Sequence, residues 1–253
     1  MELAVSDCKF CPDSKCFFYY SGKKNKKGEL IGTRMTGLTR VLREIFYPDY
    51  ELVEPEKRSY ENKKSNKPKP SQQPKNIGLK YGPQVRGSIV HHQIQLLCDG
   101  GSDYAKYYTY MDNYTKVAMS WIKDNGHIPI SNEVPIADPD TGIATAIDMI
   151  VYDPTEQIFM MVELKTGNMD YFMESKTGLF RHLDMENSLF NQAKLQLTMT
   201  YHIFKKNYSN DFPYKISKFL ILHIGNESSY ELFISEKFMQ IKGDIYDIIK
   251  LYR

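Results

Sequence analysis

Apolar residues recur along this chain with two different periods, and the alternation between them outlines its elements. Leu38, Val41, Leu42 and Ile45 fall at helical spacing between Thr36 and Phe46, with Thr36 in the N-cap position and Pro48 just past the end. A second helix is predicted from near Pro83 through Val90, His91, Ile94 and Leu97, stopping at Gly100 and Gly101, and a third over roughly 104–123. Three β-type runs follow closely, 128–136, 144–152 and 158–164, parted by the turn signals Asp138-Pro-Asp-Thr-Gly142 and Asp153-Pro-Thr155. A long helix over about 187–206, strands at 218–224 and 230–234 and a short C-terminal helix complete the pattern. The order α, β-β-β, α, β-β predicts an α/β domain.

Between 54 and 80 the pattern lapses. Lys, Pro, Asn, Ser and Gln dominate, and such a stretch cannot bury enough apolar surface to offset its ordering entropy. It divides the chain into a cysteine-containing basic segment, 1–53, expected to pack on the core, a flexible linker or loop, 54–80, and a main domain, 81–253. Charge follows the same division. Residues 1–86 carry 18 Lys and Arg against 10 Asp and Glu, and the remainder 15 against 21. A basic front and an acidic back suit a protein that holds a polyanion with one part and a cation with the other, although a basic stretch is as often only a solvated face. No apolar run approaches the ~20 residues that span a bilayer, and the first residues lack a signal-peptide pattern, so a soluble intracellular protein without a membrane partner is expected.

The chemistry concentrates in two of the β-type runs. One is Ala144-Thr-Ala-Ile-Asp148-Met-Ile, the other Ile158-Phe-Met-Met-Val-Glu163-Leu-Lys165. Side chains alternate along a strand, so Glu163 and Lys165 share a face while Val162 and Leu164 take the other. A Glu and a Lys closing an apolar strand are unfavourable unless something there uses them. If the two runs form a hairpin about the Asp153-Pro-Thr155 turn, Asp148 lies beside Glu163. Paired carboxylates repel and need a cation, and hard oxygen ligands of this type suit Mg²⁺ or Mn²⁺. The Leu164 backbone carbonyl adds an oxygen, and Lys165 stands where it can orient or deprotonate a water or stabilise charge on phosphorus. The simpler alternative is a structural Asp148–Lys165 pair with Glu163 at a strand end.

At these residues the chain resembles the PD-(D/E)xK nuclease superfamily, whose mark is an Asp, a β-turn and Glu-x-Lys at the end of an apolar strand. Gly87-Ser-Ile-Val-His91 is similar to the Gly-x-x-φ-His helix motif (φ apolar) of its RecB-like branch, in which the His is a metal ligand. Gln192-Ala-Lys-Leu-Gln196-Leu-Thr-Met-Thr-Tyr201 resembles the Gln-bearing helix of RecB-like and lambda-exonuclease-like enzymes. Gly37-Leu-Thr-Arg-Val-Leu is weakly similar to the opening segment of a mitochondrial member. The resemblance spans roughly residues 83 to 235. It implies a restriction-endonuclease-like core, a central mixed sheet flanked by helices, here with an N-terminal basic extension. It further implies a Mg²⁺- or Mn²⁺-dependent deoxyribonuclease, an exonuclease more than an endonuclease, in DNA repair, recombination or replication. His91, Asp148, Glu163 and the Leu164 carbonyl would bind metal, with Lys165 catalytic and Gln196 holding it. His91 is preferred to His92, and Gln196 to Gln192. A homo-oligomer, or a replication or recombination partner protein, also follows from the lambda type. The rival reading is a DNA-binding protein that keeps the fold without the catalysis.

DNA contacts are expected from Lys23, Lys24, Lys26, Lys27, Arg34, Arg40 and Arg43 and from the Lys/Pro segment, with tyrosines between 104 and 114 as stacking platforms or, more simply, half-buried core. Cys8-x-x-Cys11-x4-Cys16 reads first as three thiols near a terminus and second as part of a zinc site lacking an evident fourth ligand. With no cysteine beyond Cys98, the N- plus C-terminal iron–sulfur arrangement of some RecB-like enzymes is excluded.

Overall fold

The computed structural model describes residues 7–11, 13–48, 83–99 and 111–253. Three strands come first, β1 (Cys8–Cys11), β2 (Cys16–Lys24) and β3 (Leu30–Gly37), followed by α1 (Leu38–Phe46), α2 (Pro83–Asp99) and α3 (Asn113–Asp124). Then come β4 (Ile128–Asp138), β5 (Ile143–Asp153), β6 (Ile158–Thr166), α4 (Met169–Met173), β7 (Ser175–Leu179), β8 (Glu186–Ser188) and α5 (Leu189–Asn207). The chain ends with β9 (Ile216–Ile224), β10 (Ser229–Phe233), α6 (Glu236–Met239) and α7 (Lys242–Tyr252).

Eight strands form one mixed sheet. β4, β5 and β6 are successive antiparallel neighbours, β6 pairs with β9 in parallel, and β10 closes that edge antiparallel to β9. The hairpin turns are those the sequence marked. Gly142 takes φ +68° and donates its amide to Asp138 at 3.0 Å, while the Asp153 carboxylate accepts the Thr155 and Glu156 amides at 2.9 and 3.1 Å.

Alternation along β6 sends its side chains into two separate cores. Met160, Val162 and Leu164 meet Val90, Ile94 and Leu97 of α2 and Ala118, Trp121 and Ile122 of α3. Met161 faces α1, α5 and α7 through Leu42, Leu195, Met199 and Ile249. The result is an α/β architecture with helices on both faces of the sheet and, among the described residues, no closed barrel. Among those residues no helix is long and apolar enough to cross a membrane.

Several expectations need correction. Thr36 is not the N-cap of α1: it is the penultimate residue of β3, where its Oγ1 accepts from Arg253 Nη2 at 2.7 Å. Strand runs straight into helix, leaving Gly37 at the cap with no side-chain bond. The helix expected over 104–123 begins, among the described residues, at Asn113, because Asp112 accepts the Tyr114 amide at 2.9 Å and caps it. The helix expected from 187 starts at Leu189, capped by Ser188, and Asn187 belongs to β8. The pattern also gave no hint of β1, β2 and β3. Their Phe17-Phe18-Tyr19-Tyr20 run lacks alternation, and β3 carries Gly32, which seats the Tyr20 ring: a β-carbon there would lie 2.9 Å from it. The 54–80 linker and Tyr104, Tyr107, Tyr108 and Tyr110 lie outside the described residues.

Candidate metal centre

The site forms where β5 and β6 part. Their ladder runs from Asp153↔Ile158 to Met149↔Val162 and stops one residue short of Asp148 and Glu163. Beyond the stop, the Asp148 side chain takes over as acceptor, its Oδ2 receiving the Leu164 amide at 2.8 Å. The N–H and C=O of a strand residue point to the same edge, so the Leu164 carbonyl also faces this opening. On its other edge β5 pairs with β4, where Asn132↔Met149 and Val134↔Ile147 set Glu133 opposite Asp148.

Helix α2 completes the cluster. Val90, Ile94 and Leu97 hold it to the sheet and turn His91 inward, while His92 is exposed. His91 Nδ1 lies 2.7 Å from Glu133 Oε1 and 3.7 Å from Asp148 Oδ1. Ligand atoms of His91, Glu133 and Asp148 all fall within 4.8 Å of one another. Glu163 is fully buried and bonded to Lys165 Nζ, which also donates to Gln196 Oε1 of α5 at 3.3 Å. Gln192, the other candidate on that helix, donates instead to Asn187 at 2.9 Å.

The electrostatics are those of a site short of positive charge. Burial, then the neighbouring Asp148, push the Glu163 carboxyl up to about 7 against the pull of Lys165. Asp148 is raised as well, by burial first and then Glu133, with His91 and Lys165 opposing. Burial works against a charged His91, but Asp148 and Glu133 outweigh it and lift the imidazole to about 9. Lys165 is likewise raised, Glu163 and Asp148 overcoming its desolvation, so it keeps its proton. Carboxylate oxygens and one imidazole around a buried, proton-hungry cluster fit a divalent cation of the Mg²⁺ or Mn²⁺ class, the imidazole favouring Mn²⁺.

The structure therefore brings together His91, Asp148, Glu163, the Leu164 carbonyl, Lys165 and Gln196, and adds Glu133, which the sequence reading missed. Its signal was a lone Glu between polar Ser131-Asn132 and apolar Val134, legible only once β4 and β5 are in register. The other candidates lie apart. β3 runs parallel to β5 through Thr36↔Ile143, so the exposed turn with Lys23, Lys24, Lys26 and Lys27 points away from Asp148. At about 3.3 Å per strand residue it lies roughly 35 Å off. Arg34 is exposed on β3, Arg40 is paired with Glu44 at 2.7 Å, and Arg43 is half-buried on α1. Nor do the thiols converge as a zinc site requires. Cys8 is buried beside Met35, Ala137 and Ala144, and only Cys11 and Cys16 face each other across the β1–β2 pair. Among the described residues, His91, Glu133 and Asp148 form the one cluster of metal-ligand geometry.

Fold and site together define the class, an α/β protein with a mixed sheet and a carboxylate–histidine cluster at a strand divergence. No protein-family model matches the chain, and no curated protein does. Among solved structures it is similar to that of SSO0001, with 16% identity over 86% of this chain and 76% of the other, at a TM-score of 0.33. Similarity at that level carries nothing about site or activity.

Proposed function

We propose that this protein is a divalent-metal-dependent deoxyribonuclease with a restriction-endonuclease-like core, hydrolysing phosphodiester bonds from DNA ends during repair, recombination or replication. The observation that carries this reading is the convergence of Asp148, Glu163, Lys165, His91 and Gln196, from two strands and two helices, on one opening in the sheet. His91, Glu133, Asp148, Glu163 and the Leu164 carbonyl would hold Mg²⁺ or Mn²⁺. Such a cation supplies Lewis-acid stabilisation of charge on phosphate oxygens. Lys165, fixed by Glu163 and Gln196 and protonated, donates to a non-bridging oxygen as negative charge grows there. Preference for ends rests on the lambda-type character of the Gln196 helix.

The test is a gel assay of wild type and Lys165→Ala, with Mg²⁺ or Mn²⁺, on end-labelled linear single-stranded, linear double-stranded and closed circular DNA. Metal-dependent loss of the linear substrates alone, reduced at least about 100-fold in the variant, is expected. Absence of metal-dependent cleavage in wild type, or undiminished cleavage by Lys165→Ala, overturns the reading. Cleavage of the circle makes the enzyme an endonuclease.

A further inference from the structure

Helix α2 carries a second functional group five residues, about 1.4 turns, before His91. Arg86 stacks its guanidinium on the Tyr114 ring, 4.6 Å from the centroid. That ring is a fixed platform, 7% exposed, on the first turn of α3, where its own amide is held by Asp112. The Arg86 Nε is buried and, among the described residues, has no hydrogen-bond partner. A buried donor left unmatched is unfavourable and is uncommon in folded proteins. Among the described residues no carboxylate pairs with this guanidinium.

Its position follows from how α2 lies along β6. His91 is level with Asp148, Gly87 faces Thr166, and Arg86 faces Gly167, just past Lys165 at the strand's end. Gly167 has φ +145°, a conformation L side chains rarely adopt, and a β-carbon there would stand 3.7 Å from Arg86 Nη2. The backbone is thus bare where the guanidinium emerges. From Arg86 to His91 is roughly 7.5 Å along the helix at about 1.5 Å per residue, comparable with the step between successive phosphates of one strand.

We propose that Arg86 binds the phosphodiester adjacent to the one cleaved, its non-bridging oxygens taking the free guanidinium donors while Tyr114 fixes the plane. The inference rests on the nuclease reading and adds a backbone subsite to it. A planar fork held by stacking suits a phosphate in two-point contact, which a lysine ammonium does not reproduce.

Fluorescence anisotropy of a labelled single-stranded oligonucleotide, in EDTA and across a KCl series, tests it with wild type, Arg86→Ala, Arg86→Gln and Arg86→Lys. Arg86→Ala is expected to weaken binding about tenfold and to reduce the slope of log K against log salt by roughly 0.7, one phosphate contact. Arg86→Lys should keep the slope and recover only part of the affinity. In the cleavage assay KM should rise about as much as binding weakens, with kcat changed far less. Should Arg86→Ala melt as unfolded protein, Arg86→Gln, which keeps an aliphatic stem and a planar polar end without the charge, decides. Unchanged affinity and slope, with cleavage still abolished by Lys165→Ala, overturns the subsite and leaves the nuclease standing. Wild type that neither binds nor cuts DNA overturns both.

Discussion

Glu133 sits at φ +50°, where a β-carbon crowds the backbone and residues other than glycine are strained by about 1 kcal/mol or more. The strain turns its carboxylate to His91 Nδ1 and sets it across from Asp148, adding negative charge to a cluster already short of cations. That placement brings a third carboxylate to the cluster, as a metal ligand requires, beside its pairing with His91. Glu133→Gln keeps the shape and removes the charge. Manganese binding, read by isothermal titration calorimetry, is expected to weaken roughly tenfold or more, while the metal-free protein melts no lower than wild type. Unaltered manganese affinity would remove Glu133 from the ligand set.

At the scale of elements, β9 and α4 meet through His223, which is 1% exposed and packs on Phe172 with ring centroids 4.7 Å apart. Burial drives its imidazole down to about 4, so it is neutral in the folded protein. The unfolded chain takes up a proton below about 6.5. Stability from this residue is therefore complete above pH 6.5 and declines as pH falls towards 4, by about 1.4 kcal/mol per unit of difference. In His223→Leu the loss of melting temperature between those pH values should be visibly smaller than in wild type. Equal pH profiles would show that His223 is not the titrating group. The elements around this joint also show what a sequence reveals. β4, β5 and β6 were readable within two residues because apolar runs end at Asp-Pro and Gly turns, and α5 because its apolar spacing is sustained. α4, β7 and β8 were not, since each has five residues or fewer, too short to show a period, and the buried residues of β8, Asn187 and Ser188, are polar. The candidate site was legible for the residues that lie in those strong runs, and Glu133 and Arg86 were not, because each acquires its meaning from a neighbour distant in sequence.

For the whole molecule, the site and the fold are in tension. Elsewhere buried charge is well matched: Asp138, fully buried, accepts from Lys206, Thr141 and Tyr246 at 2.7, 2.6 and 2.7 Å and ties the β4–β5 turn to α5 and α7. At the divergence of β5 and β6 the carboxylates outnumber their partners, and burial raises both Asp148 and Glu163 above the usual carboxylate range. Asp148→Asn separates the two demands, since the amide oxygen can still receive the Leu164 N–H while the charge is gone. Without metal this variant should be more stable than wild type by about 1 kcal/mol, a rise of roughly 2–4 °C in a domain of this size. Added Mn²⁺ should reverse the order. A ligand that binds only the folded state stabilises by RT ln(1 + [L]/Kd), about 2.7 kcal/mol at a hundredfold excess over Kd, so wild type gains several degrees and Asp148→Asn little. Thermal melts of both proteins with and without Mn²⁺ decide the matter. If the metal shifts them equally, Asp148 is not a ligand. If Asp148→Asn without metal is the less stable, its charge serves the fold by pairing with His91 and Lys165, and the case for a cation at this opening weakens accordingly.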